Sequence, residues 1–217
     1  QLFKAWMDIA RAAQVGPEKL NYSRPYTAEE VKGINAAVEN SPDIKAAFNE
    51  ARDIYRQYNK DLMQLMADTG VISKELAKKL GERDYVPYYR LQGDTVQMDL
   101  GTSGHVNIGN LIDQPELKEL VGDNTKTVPF FDGALQNTAM LIKAATQNMQ
   151  TKDIAAALRD MGMAVIHKPT KENQGKQGPP GSVRFKDMGD DLWVQLDKDV
   201  FPPDIPHTLV LQGMQGI

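Results

Sequence analysis

The chain has 217 residues, 25 Lys and Arg against 29 Asp and Glu, a formal charge of −4 and no cysteine. That excludes disulfide scaffolds, cysteine-held zinc, iron–sulfur clusters and thiol catalysis, and it leaves no general electrostatic footprint for nucleic acid. Hydrophobic residues make up 41%, enough for a packed core, yet no stretch approaches the ~20 apolar residues of a membrane span.

The chain opens on Gln, already in a helical pattern and without the layout of a signal peptide, which reads as a piece cut from a longer polypeptide, with a mature end left by processing as the alternative. Leu2, Phe3, Trp6, Ile9, Ala10 and Ala13 recur at helical spacing until Gly16-Pro17 stops them. Thr27-Ala-Glu-Glu30 has the form of a capping box and starts a helix running to about Asn40. Ser41-Pro42 is a second start, an N-cap followed by proline at the first helical position. Ile44, Phe48, Ala51, Tyr55, Tyr58, Leu62 and Leu65 then alternate by four and three residues. This three-heptad seam predicts a long helix packed lengthwise on a partner. Gly70 is its expected left-handed stop, and Ser73 caps a short helix through Leu76, Ala77 and Leu80, ended by Gly81.

Pro87 keeps Asp84–Arg90 from being helical throughout, so this aromatic segment reads as an extended strap across the long helices. Thr95–Leu100 alternates as a short strand, and 101–127 reads as surface loop with one helical turn at Pro115–Val121. Pro129–Met163 is the second long helical region. Leu135, Ala139, Ile142, Ala145 and Met149 form one apolar stripe, and Ile154, Leu158 and Met161 form another, offset by a slip. Its many amides and hydroxyls, among them Gln136, Asn137, Asn148 and Thr151, read as a solvated face, with a buried inter-helix amide network as the alternative. Pro169–Gly181 reads as a flexible connection. Val183–Asp187 and Leu192–Asp197 alternate around a four-residue loop, Met188-Gly-Asp-Asp191, as a β-hairpin. Phe201–Asp204 is extended, and Ile205–Gln212 reads as a final short helix.

The expected fold is mainly α: two long packed helices with short helices, an extended strap and a small C-terminal β-hairpin. N-terminal helices fill 1–40. A helical core spans 41–167 with an inserted loop at 91–127, and 168–217 holds the linker, hairpin and terminal segment, all within one compact domain.

Motifs for chemistry are sparse. No G-x-S-x-G elbow is present, and Gly101-Thr-Ser103-Gly-His105 reads as a surface turn. The three histidines, His105, His167 and His207, are far apart in sequence and form no metal-ligand pattern. Gly101, Gly104 and Gly109 lack the G-K-[ST] of a phosphate loop. Asp190-Asp191 suits a turn, and Glu29-Glu30 is used by the capping box. No catalytic residue, metal or cofactor is expected. The binding candidates are Tyr88 and Arg90, an aromatic and a guanidinium that could stack on a base or a peptide; a packed structural role is the favoured reading. Eight bases stand against four acids between Val128 and Lys186. They read as a solvated face beside the acidic residues 187–217, which could neutralise them intramolecularly.

The order of these parts resembles a known family. A long amphipathic helix ends in Gly70-Val-Ile-Ser-Lys-Glu-Leu and is followed by Asp84-Tyr-Val-Pro-Tyr-Tyr-Arg90, a variable loop, an amide-rich helix and a hairpin. This is similar to a domain inside the very large polyvalent proteins of tailed phages, prophages and conjugative elements. Some of these carry a PLxRF-type segment, which Tyr85–Arg90 resembles. Leu135-Gln-Asn-Thr138 stands where that family tends to show a Trp-Ser-His-like start, and it lacks both Trp and His. The resemblance covers about residues 43–200 and carries no catalytic residue with it. It implies a non-enzymatic structural or interaction module of a DNA-delivery protein, placed in the virion or the host cytoplasm. Its partners would be other domains of the same parent protein or other virion or host proteins; nucleic acid is possible but not favoured. The alternative is a fragment of an enzyme or nucleic-acid-processing protein whose site is completed by its flanks.

Overall fold

The computed structural model describes residues 2–15, 26–82, 130–168 and 178–201. Among them lie α1 (Leu2–Val15), α2 (Ala28–Glu39), α3 (Pro42–Asp68), α4 (Lys74–Gly81) and α5 (Phe130–Asp160). Three strands follow: β1 (Ala164–His167), β2 (Val183–Asp187) and β3 (Asp190–Leu196). The protein is mainly α with a small antiparallel sheet, as its patterning predicts. The expected strap at Asp84–Arg90, the strand at Thr95–Leu100, the 91–127 loop and the helix at Ile205–Gln212 lie outside the described residues.

Local chemistry sets the helix ends. Thr27 closes the capping box: its hydroxyl accepts from the Glu30 amide at 3.2 Å, and its own amide donates to the Glu30 carboxylate at 2.8 Å. Ser73 caps α4 by accepting from the Leu76 amide. Both long helices end on a left-handed glycine, Gly70 (φ +81°) and Gly162 (φ +72°). At the first, Val71 N–H donates to Met66 O and Gly70 N–H to Ala67 O; at the second, Met163 N–H donates to Leu158 O and Gly162 N–H to Arg159 O. This paired closure satisfies carbonyls the helix leaves open.

The expected hairpin is part of a three-stranded sheet of order β1-β3-β2. β1 is the element that no sequence pattern marked, because four residues, Ala-Val-Ile-His, are too short to show an alternation. Its turn is also tighter than expected. Met188 (φ 51°) and Gly189 (φ 90°) form a two-residue loop with both residues left-handed, so Asp190 and Asp191 belong to β3.

The chain divides into two compact units. The first holds 2–15, 26–63, 78–82 and 130–140; the second holds 64–77, 141–168 and 178–201. In the first, Phe3 meets Phe48 and Phe130 edge-on at 5.2 and 5.7 Å, and Tyr55 packs on Phe130 at 5.0 Å. Met7 is fully buried beside them. The Arg52 guanidinium lies 5.1 Å from the Trp6 ring centroid, which offsets part of the cost of burying a charged group. The inner face of α3 runs through Phe48, Arg52, Tyr55, Asn59, Leu62 and Met66. It shares Phe48, Tyr55 and Leu62 with the expected seam, but Asn59 and Met66 are buried where Tyr58 and Leu65 were expected.

In the second unit the sheet packs one face on the end of α5. Ala164, Phe185, Val194 and Leu196 form a core with Ala155 and Leu158. Asn148 secures it. The side chain is fully buried; its Nδ2 donates to Lys186 O (2.8 Å) and Thr69 O (2.7 Å), and its Oδ1 accepts from Lys186 N–H (2.7 Å). One amide thus pairs both backbone groups of Lys186, as a neighbouring strand would, on the edge of β2 that β3 leaves free.

Candidate functional site

The register of α5 is fixed by its inner face. Phe130, Asn137, Ala144, Asn148, Thr151, Ala155 and Leu158 are buried, at heptad-like spacing without a slip. The expected solvated face is therefore partly wrong: three of its polar residues lie inside. The expected core stripe is correspondingly turned out. Phe131 is 70% exposed and Leu135 61%, and Ile142 and Met149 are exposed as well; of the expected stripe only Ala145 is buried. In the first unit, Phe131 and Leu135 therefore face outward on one side of α5, and in the second, Ile142 and Met149 are exposed.

In the first unit α3 adds exposed Ile54 and Tyr58. Tyr58 hydrogen-bonds Thr138. The Thr138 hydroxyl gives its own hydrogen to Ala134 O at 2.7 Å, so the Tyr58 phenol is the donor. This bond ties the outer face of α3 to α5 one turn beyond Leu135. The surface holds large apolar side chains and one hydroxyl pair. What it can do is bury apolar area against another surface.

Tyr88 and Arg90, the residues singled out for binding, lie outside the described residues, as do Ser103, His105 and His207. His167 is engaged, its Nε2 3.1 Å from Gln195 Oε1. Asp191 is bound by two cations. Arg184 Nε donates to it at 2.8 Å, with NH2 on the second oxygen, and Lys186 Nζ lies at 2.9 Å. Burial works to raise the Asp191 carboxyl, but the hydrogen bonds from Arg184 and Lys186 outweigh it and hold the group below the ordinary aspartate value. Lys152 pairs with Asp187. Several of the bases between Val128 and Lys186 are thus met by the acidic segment that follows. No cluster of three or more potential metal ligands occurs among the described residues, and no helix among them is long and apolar enough to cross a membrane. Comparison with protein-family models, with curated proteins and with solved structures yields no match.

Sequence patterning missed these outward residues because both faces of α5 carry apolar residues. The signal that could have found them is the buried amide. Placing Asn137 and Asn148 inside, four and three residues from Leu141, Ala144 and Thr151, sets the register at once.

Proposed function

We propose that this chain is a non-enzymatic interaction module, and that its working surface is the outward apolar face of α5 in the first unit, with Phe131 and Leu135 at its centre. The carrying observation is their exposure at 70% and 61%, next to a tyrosine held in place by Thr138. Adjacent exposed aromatic and aliphatic side chains favour association, because covering them removes apolar area from water at about 25 cal/mol per Å². The resemblance to domains of phage and prophage polyvalent proteins supports a setting in which the covering surface is another domain of the same parent polypeptide.

The test is the double variant Phe131→Glu/Leu135→Glu. Its melt should stay within about 0.5 kcal/mol of the parent, as for exposed sites. Association with the flanking segments of the parent polypeptide, supplied in trans and followed by sedimentation, should fall at least about tenfold. Unchanged association would overturn the proposal, and a loss of several kcal/mol in the melt would show that the face is core.

A further inference from the structure

We propose, resting on the preceding reading of the first unit's outward face, that a basic amphipathic helix covers it. Its apolar residues would meet Ile54, Tyr58, Phe131 and Leu135, and its flanking lysines or arginines would meet Glu50, Asp61 and Asp132.

α3 and α5 lie side by side in this unit. Tyr55 packs on Phe130 and Tyr58 bonds Thr138, so the two helices run in the same direction. Each turns out an apolar pair four residues apart, Ile54 with Tyr58 and Phe131 with Leu135. Side chains at that spacing stand one above the other on a helix face. Ile54 is 64% exposed, as open as the pair on α5. The Tyr58–Thr138 bond sets the two rows next to each other. Two adjacent rows of this kind are what a third helix packs on, with its own i and i+4 side chains between them.

Charge says which helix. At about 100° per residue, Glu50 and Asp61 lie within about 40° of Ile54 around α3, whereas Lys45, Arg52, Arg56 and Lys60 lie at least about 120° away. The contacts agree. Lys45 pairs with Glu39 at 2.6 Å, and the Arg52 guanidinium lies over the Trp6 ring. Arg56 is 3.9 Å from Asp53, and the stem of Lys60 faces Gly81. Glu50 is exposed and has no hydrogen-bond or ion-pair partner among the described residues. Asp61 is exposed and accepts from the neutral Gln57 amide at 2.7 Å. From Phe130 to Met140, α5 has one charged residue, Asp132. The bases of α3 are thus turned to its other sides, and its acids are left beside the exposed apolar rows.

This sorting selects among occupants. A second copy of the chain, docked face to face, would bring the same acids to both sides of the contact, which like-charge repulsion disfavours. Cations beside the apolar row of a partner helix complement the acids and steer the encounter.

The experiment uses the full chain and two labelled, end-blocked peptides of about four helical turns. Both carry leucine at the same i, i+3 and i+4 positions; lysine fills one and glutamate the other. By fluorescence anisotropy the Leu/Lys peptide should bind at least about tenfold more tightly than the Leu/Glu peptide, and several-fold more weakly once salt is raised from about 50 to about 300 mM. Glu50→Gln/Asp61→Asn should weaken it at least about fivefold with the melt unchanged; Glu50→Gln alone, with a smaller loss, serves should the double variant unfold. Glu75→Gln/Asp153→Asn removes two exposed acids from the second unit and should leave binding as it is. Phe131→Ser/Leu135→Ser, which leaves the charge unchanged, should abolish it. Equal binding of the two peptides, lost in Phe131→Ser/Leu135→Ser, would keep the face and overturn its basic partner. Leu/Lys binding indifferent to Phe131→Ser/Leu135→Ser would overturn both. Equal weakening by the two charge variants would mean a general attraction to an acidic protein and would overturn the basic partner. So would a dimer of the parent chain in sedimentation that Phe131→Ser/Leu135→Ser dissolves.

Discussion

Asn148 satisfies three hydrogen-bonding positions at once where no water reaches. Asn148→Ala leaves the Lys186 amide and two carbonyls unpaired, each a penalty of about 1–3 kcal/mol if they stay dry. A denaturant melt should show a loss of about 3 kcal/mol or more. Asn148→Asp should be worse, because its carboxylate would face the carbonyls of Thr69 and Lys186. Met188 presents the opposite case. It occupies a left-handed turn position that disfavours a long side chain, and it is 75% exposed, so its packing contributes little. Met188→Asn should raise the urea midpoint by the equivalent of about 0.5–1 kcal/mol.

Two groups among the described residues couple stability to pH. Asp191 is held low in the fold, so its contribution is present above the ordinary aspartate range and lost as pH falls through the lower folded value. Asp191→Asn should flatten the acid limb of the stability profile below about pH 4. Burial pushes the Tyr55 phenol up to about 12, with Asn59 pulling it back and Tyr58 adding to the rise. Its contribution is whole below about pH 10 and is lost as pH rises through the folded value. Tyr55→Phe should remove that alkaline limb.

At the scale of elements, α3 separates pattern from placement. Leu62 is buried at 7% exposure while Leu65, one helical turn on, is exposed. Leu62→Asp should cost about 3 kcal/mol or more by burying an unpaired charge; Leu65→Asp should cost less than about 1. Equal losses in thermal melts would put the seam back where apolar periodicity alone draws it. Caps and stops were legible in the sequence, as Thr27, Ser73 and Gly70 show, because each acts through bonds within a few residues. Helix rotation was not. Hydrophobic spacing on α3 fits two registers that share Phe48, Tyr55 and Leu62, and the true one buries Asn59 in place of Tyr58. The same ambiguity turned the outward apolar residues of α5 into an expected core. β1 was hidden for another reason: a four-residue strand is defined by its partner, and Ala164–His167 acquires its identity from pairing with Trp193–Leu196.

Over the whole molecule, charge pairing bears on whether phosphate is bound. Eight bases against four acids fall between Val128 and Lys186, and six acids against one base follow in 187–217. Read along the chain, this is a basic stretch able to attract phosphate. Folding changes it. The β2–β3 register sets Lys186 opposite Asp191, Arg184 reaches the same carboxylate, and Lys152 pairs with Asp187. Three of the eight bases are thus matched within one hairpin and the helix beside it, and Arg159 sits against Asp160. Phosphate binding draws on cations whose counterions are free to leave, and these four already have carboxylate partners. Titration with single-stranded DNA at about 50 mM salt should therefore show no saturable binding tighter than about 100 μM, the weak end of non-specific affinity. The paired removal Asp187→Asn/Asp191→Asn should create measurable, salt-sensitive binding by freeing Lys152, Arg184 and Lys186. Micromolar binding by the parent chain, falling steeply with salt and lost in Arg90→Ala, would instead establish a nucleic-acid surface centred on the aromatic segment 84–90.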